Sequence, residues 1–326
     1  MNIKKGMPTP DAALKEFFKD NEIFAAVFNG YFFNNDKVID PAELEQADTA
    51  YTESVRTEIK IDKVNKYRDN VRKTSGGLFV ILGIEDQAKI HYSMPVRKML
   101  YDALGYSAEI ASKGNAQDKK SWTVDERLSG VSKGTKVTPI ITVVFYTGEE
   151  VWDGPRSVHD MMDIDTRVRQ FVPDYPLYVI DMGHDRDLSF SNGPLEELRA
   201  ALSAIYADTA DRDEREIECN IMALAGILSG DNNLYEAAQG EGRQKMCKVL
   251  EKRDEKIYMQ FKSQFEEMDA ELAENRAALE EKNAELAENR AALEEKDAAL
   301  EEKNAALEKK DAEIAALKAK LAELGH

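Results

Sequence analysis

The chain has 326 residues, 43% of them hydrophobic, and a formal net charge of -18. That is enough apolar material for one sizeable core plus an appendage, and no apolar stretch approaches the roughly 18 residues of a membrane-spanning helix. The acidic balance argues against a general nucleic-acid binder; any contact with DNA needs a local basic face or bound cations working against the overall field. The start, MNIKKGMPTPDAALKEFF, lacks the apolar segment and small-residue cleavage site of a signal peptide, and Cys219 and Cys247 form no metal motif. A reduced, cytoplasmic protein is the expectation.

Residues 11–33, DAALKEFFKDNEIFAAVFNGYFF, set Leu14, Phe17, Phe18, Phe24, Val27, Phe28 and Tyr31 on apolar helical faces, with Asp20 or Asn21 as the break or cap. Strands are expected around 56–72 and 78–85, separated by the turn signal TSGG. A helix from Pro95 to Tyr106 follows, then strands in TPIITVVFY and PLYVIDM. The alternation indicates an α/β domain with a small central sheet. Beyond it, PLEELRAALSAIYA, IECNIMALAGILSG and GRQKMCKVLEKRDEKIYMQFKSQFEEM read as helices punctuated by Gly226, Gly230, Gly240 and Gly242.

From Leu272, a leucine or isoleucine recurs every seventh residue through Leu279, Leu286, Leu293, Leu300, Leu307, Ile314 and Leu321, with Ala, Glu and Lys between them. A long helix is expected. With these residues at one core position, the alternating one reads Arg276, Asn283, Arg290, Asp297, Asn304, Asp311 and Lys318, so the coiled-coil seam is half-built and self-association should be weak. Residues 266–326 carry 18 acidic and 9 basic side chains, about half of the net charge.

The run GGLFVILGIEDQAKIHYSMP is apolar from Leu78 to Ile84 without alternating, which predicts a strand covered on both faces. Glu85, Asp86 and Gln87 then follow at once. Two residues apart on a strand, Glu85 and Gln87 share a face, while Asp86 points the other way. If the segments around 64–72 and 78–87 pair as a hairpin, Asp69 joins Glu85. Two carboxylates and an amide make an oxygen-rich cluster suited to a hard cation such as Mg²⁺ with room for a phosphate. An acidic residue after an apolar strand can equally mark where the chain meets solvent, and spacing alone leaves that reading open.

Two longer blocks, FVILGIEDQAKIHYSMPVRKMLYDALGY and LSGVSKGTKVTPIITVVFYTGEEVWDGPRSVHDMMDI, resemble the Rpn-type recombination-promoting nucleases, also named putative transposases, of the PD-(D/E)XK nuclease superfamily. The resemblance covers roughly residues 11–200. It implies a PD-(D/E)XK, restriction-endonuclease-like core with a small mixed sheet over residues 1–200. A helical region at 201–265 and a long heptad-repeat helix at 266–326, a candidate homo-oligomer contact, complete the chain. By the same resemblance the protein is a metal-dependent DNA endonuclease linked to recombination or transposition. Asp69 and Glu85 would hold Mg²⁺ or another divalent cation, with Gln87 completing the catalytic set. Asp48 and Asp62 are rivals for the Asp69 role, and Glu16 or Glu22 would add an acidic residue from the first helices. The wider superfamily usually has Lys where Gln87 stands; a neutral amide hydrogen-bonds but brings no charge.

Other candidates are local. Ser93 and Pro95 suit a helix start, and Arg97 and Tyr101 fall one turn apart, facing a phosphate or a nearby carboxylate. Lys119, Lys120 and Trp122 form a small basic and aromatic patch in a loop-like stretch. His91, His159, His184 and His326 show no metal spacing, and there is no nucleophile-elbow motif or glycine-rich phosphate loop. The competing functional reading is a non-catalytic interaction protein that keeps the nuclease fold and assembles through its tail.

Overall fold

Two threonine- and aspartate-capped turns open the structure, a computed structural model that describes residues 7–47, 70–75, 81–207, 209 and 213–323. Thr9 caps α1 (Pro10–Phe17), and the Asp20 carboxylate accepts from the Glu22 amide at 2.8 Å to cap α2 (Asn21–Phe33), the break expected from the sequence. A short strand, β1 (Leu44–Gln46), follows; nothing in the sequence pattern had marked it. Next come β2 (Asn70–Thr74), β3 (Ile81–Gln87) and α3 (Met94–Ala116). The remainder of the expected strand at 56–69 lies outside the described residues. α3 runs well past Tyr106 because Ala, Glu, Ile and Lys continue it. Glu109 also ties its far end to the start of the next strand, accepting from Thr138 N at 2.8 Å and Thr138 Oγ1 at 2.6 Å. Burial works to raise the Glu109 pKa, but these bonds and Lys113 outweigh it and hold the carboxyl low.

After α4 (Val124–Ser129), β4 (Ile140–Tyr146) and β5 (Tyr178–Asp181) complete a sheet of order β1-β2-β3-β4-β5 among the described residues. The β1-β2 and β2-β3 pairings are antiparallel and the β3-β4 and β4-β5 pairings parallel, so the sheet is mixed. Parallel neighbours need a crossover; α3 supplies the first, and residues 147–177 supply the second without an α-helix.

Alternation along β4 sends its side chains into two cores. Val143 and Phe145 join the larger one with Phe18, Phe24, Phe28, Ile180 and Leu198, under α1, α2 and α5 (Gly193–Tyr206). Val144 and Tyr146 join the smaller one with Met94, Trp152 and Val179, on the α3 side. β4 is therefore covered on both faces, and Ile84 of β3 joins the larger core beside it. Arg72 of β2 is buried across this packing: it donates to Asn21 Oδ1 at 3.2 Å and Phe18 O at 3.1 Å and lies over the Phe24 ring.

Downstream, two stretches expected to be helical pair as strands instead. β6 (Glu216–Glu218) and β7 (Arg243–Lys245) form a two-stranded antiparallel sheet, flanking α6 (Cys219–Ser229) and α7 (Asn232–Ala237). Tertiary contacts override helix propensity here: Gly242 has φ of 77°, and Arg243 reaches Glu197 at 2.6 Å and Glu218 at 3.1 Å. Gly226 does not punctuate a helix; it sits inside α6, where an added Cβ would come within 2.6 Å of Tyr235 N. Gly226→Ala should therefore force α6 and α7 apart and lower stability by about 1–3 kcal/mol in denaturant unfolding. An unchanged midpoint would show that the two helices are free to shift.

The last helix, α8 (Met246–Glu323), is continuous through the heptads. The chain divides into two compact units, Met1–Ile257 and Tyr258–His326. No helix among the described residues is long and apolar enough to cross a membrane.

Candidate functional site at the carboxyl end of the parallel strands

The three parallel strands end in register. Gln87 of β3 pairs with Tyr146 of β4, and Tyr146 pairs with Asp181 of β5. The ladder extends one step beyond the strands, with Thr147 N donating to Gln87 O at 2.9 Å and Met182 N to Tyr146 O at 3.0 Å. Ligands in open α/β sheets collect outside such carboxyl ends, where loops diverge and side chains reach solvent.

Gln87 sits at this edge, half-buried, and Glu85 is a residue of the same strand whose register partner is Val144. On the other side of β3, β2 pairs Asn70 with Ile84, the sequence neighbours of Asp69 and Glu85. The expected hairpin is thus present at its inner end. Asp69, Asp48 and Asp62 lie outside the described residues, as does the side chain of Glu85. Among the described residues no three His, Cys, Asp or Glu side chains form a metal-binding group.

Tyr146 and Trp152 wall the edge. Their rings meet edge to face at 5.2 Å, and Tyr146 Oη donates to Glu150 O at 2.7 Å. Burial, then the charges of Asp181, Glu150 and Asp153, push the Tyr146 hydroxyl up to about 12, so it acts as a neutral donor. Asp181 is buried and fully engaged: it accepts from Trp152 N at 3.2 Å, from Gly183 N and His184 N, and from His184 Nδ1 at 2.9 Å. The imidazole stacks on Tyr206, whose hydroxyl donates to Thr147 O at 2.6 Å and is pushed far up, first by burial and then by Glu149. This anchor fixes the ends of β4 and β5. The sequence carried a signal for it in the spacing of DMGH, where Asp and His fall three apart around a turn.

Behind the edge, α3 presents a buried ionic network. Lys98 Nζ donates to Asp102 Oδ2 at 3.0 Å, Thr142 Oγ1 to Asp102 Oδ1 at 3.1 Å, and Tyr175 Oη to Asp102 Oδ2 at 2.5 Å. Lys98 also lies 4.4 Å above the Tyr175 ring. It joins α3 to β4 and to the lead-in of β5. The spacing of four in KMLYD was the available signal.

The remaining candidates fall elsewhere. Arg97 Nε donates to Tyr101 Oη at 3.1 Å, so Tyr101 is one partner of that guanidinium. Ser93 makes no capping bond from its side chain, although Pro95 does open α3. Glu16 is exposed and paired with Lys19 at 2.6 Å, Glu22 is exposed, and both belong to helices on the face opposite Tyr146. Trp122 is buried, with Lys119 over its ring, and offers no face for base stacking. His159 braces the 147–177 connection through Val172 O at 2.8 Å, and burial followed by Arg97 lowers the His91 pKa. Cys219 and Cys247 are free thiols; His326 lies outside the described residues.

Comparison with known families matches residues 10–205 to the model described as "Putative transposase, YhgA-like". The chain belongs to this YhgA-like transposase family. The match spans α1 through nearly all of α5, and so contains the five-stranded sheet and the whole edge just described. No curated protein and no solved structure matched the chain.

Proposed function

We propose that the chain is a metal-dependent DNA endonuclease with a PD-(D/E)XK-type core, hydrolysing phosphodiester bonds in recombination or transposition. The observation that carries this reading is the position of Glu85-x-Gln87. It closes a central strand at the carboxyl end of the parallel strands, beside the strand that follows Asp69, within the region matched to the transposase family.

The donor set fits a hard divalent cation such as Mg²⁺, because Asp69 and Glu85 offer carboxylate oxygens and Gln87 an amide oxygen, with no soft ligand among them. When bound, such a cation supplies positive charge against a phosphate and makes water more acidic. Asp69 and Glu85 would hold it. Gln87 would hydrogen-bond a water or a phosphate oxygen, orienting without adding charge. Tyr146 and Trp152 close the site from the β4 side, and the Asp181 anchor keeps the strand ends from splaying.

The net charge of -18 and the exposed leucines of α8 favour a second reading, a non-catalytic protein that uses this fold for assembly. Incubating supercoiled plasmid with the full chain separates the two. Nicked or linear product with Mg²⁺, absent with a chelator, is the expected outcome. Intact plasmid over a range of divalent cations and salt would assign the fold to assembly.

A further inference from the structure

The exposed apolar stripe of α8 is longer than the leucine repeat and has a second edge. Its seven-residue period extends back through Phe265 to Tyr258, which are 58% and 67% exposed on the continuous helix. Three residues after each member lies a companion position, and at both ends it too is apolar and exposed: Phe261 and Met268 at the start, Leu317 after Ile314 at the end. Taking the stripe as position a and this companion as position d, in place of the position four after each stripe member where Lys262, Asp269 and Lys318 stand, closes the seam at its two ends. Between them, d holds Asn275, Lys282, Asn289, Lys296, Lys303 and Lys310. The lysine stems can cover the leucines while their ammonium heads reach solvent, which limits affinity without abolishing the seam.

This register makes the flanking charges informative. In a parallel pair, each g residue faces the e residue five positions along the other helix. Glu271 then faces Arg276 of the second copy, Glu285 faces Arg290, and Glu313 faces Lys318. Asp269, Asp297 and Asp311 at e face Gln264, Ala292 and Ala306, so no like charges meet at the e and g positions; at d the four lysines face their own copies and must turn their ammonium groups out to solvent. An antiparallel pair that also covers both apolar ends sets e against e and g against g. It brings Lys262 to Lys318, Asp269 to Asp311, Glu271 to Glu313 and Arg290 to itself. We propose that the apolar face of α8 from Tyr258 to Leu317 docks a second copy of this chain, parallel and in register, with Glu271, Glu285 and Glu313 selecting the orientation. Both chains enter such a pair from the same end.

Cross-linking of the full-length chain tests orientation directly, with Cys247→Ser removing the more accessible thiol and buried Cys219 retained. In the parallel pair, Leu272→Cys chains form a disulfide with one another, and so do Lys310→Cys chains. In the antiparallel pair, position 272 lies against position 310, so only a mixture of the two variants cross-links, giving a product distinguishable with chains of different tag length. Self-linked dimers without the mixed product are expected. A mixed product alone, or a monomer by light scattering at every concentration, overturns the proposal. A second arm reverses Arg276, Arg290 and Lys318 to Glu in an otherwise native chain, at exposed positions where helix content should hold by circular dichroism. Self-association should weaken by about tenfold or more. It should return when that chain is mixed with one carrying Glu271→Lys, Glu285→Lys and Glu313→Lys. Undiminished self-association of the charge-reversed chain would contradict the assigned register.

Discussion

Asp102→Ala is expected to lower the unfolding free energy by about 3–5 kcal/mol, the cost of breaking a buried ion pair from one side. Asp102 and Lys98 are 1% and 4% exposed, so neither water nor a surface counter-charge replaces the lost carboxylate. Lys98 would be left charged among Tyr175 and α3, and the hydroxyls of Thr142 and Tyr175 would lose an acceptor. Removing both charges together is a different experiment. Lys98→Met with Asp102→Leu should recover most of the loss, because a well-packed apolar pair avoids the desolvation cost that an ion pair must offset. Denaturant unfolding of the two single variants and the double variant closes the cycle. A loss below about 1 kcal/mol in Asp102→Ala would mean that water reaches the pair.

The second large effect concerns activity. Glu85→Gln keeps the size of the side chain and removes its charge, so it tests cation holding with little change in packing. If Glu85 and Asp69 together hold the cation, the variant should lose DNA cleavage by about a thousandfold or more, equivalent to about 4 kcal/mol of transition-state stabilisation. Its stability should change by less than about 1 kcal/mol if the carboxylate serves the cation and not the packing. The same loss accompanied by a large fall in melting temperature would give Glu85 a structural role. Near-parental cleavage would move the cation elsewhere.

The elements legible in the sequence were those whose signal is local. Asp20 announces its cap by residue type, the unbroken run to Ile84 announces a strand, and the leucine period announces α8. What was not legible depends on distant partners. Nothing within Glu216–Glu218 or Arg243–Lys245 identifies a strand; the two triplets become one only against each other, with Arg243 bridging to Glu197 and Glu218. The helical look of Met246 onward extended falsely back across Arg243–Lys245, and that of α6 back across Ile217 and Glu218. Gly226 looked like punctuation because glycine commonly ends helices, whereas here its missing side chain admits Tyr235.

The candidate site divides the same way. Glu85 and Gln87 stand out from the sequence because polar residues follow an apolar strand abruptly. The supports around them do not. Tyr146 looks like one more residue of a core strand, and only the parallel register shows that it ends level with Gln87 and Asp181. Asp181 and His184 look like surface turn residues until Trp152 N and Tyr206 are brought to them by a connection of uncertain course in sequence. Lys98 and Asp102 look like a solvated helix pair, and burial alone changes their meaning.

The most direct test compares the parent chain and Glu85→Gln on supercoiled plasmid, side by side, with Mg²⁺ and with a chelator. Relaxed or linear product from the parent with Mg²⁺ only, and none from Glu85→Gln at equal folded concentration, is the predicted result. Equal cleavage by both chains, or cleavage by the parent that survives the chelator, would contradict a metal-dependent nuclease centred on Glu85.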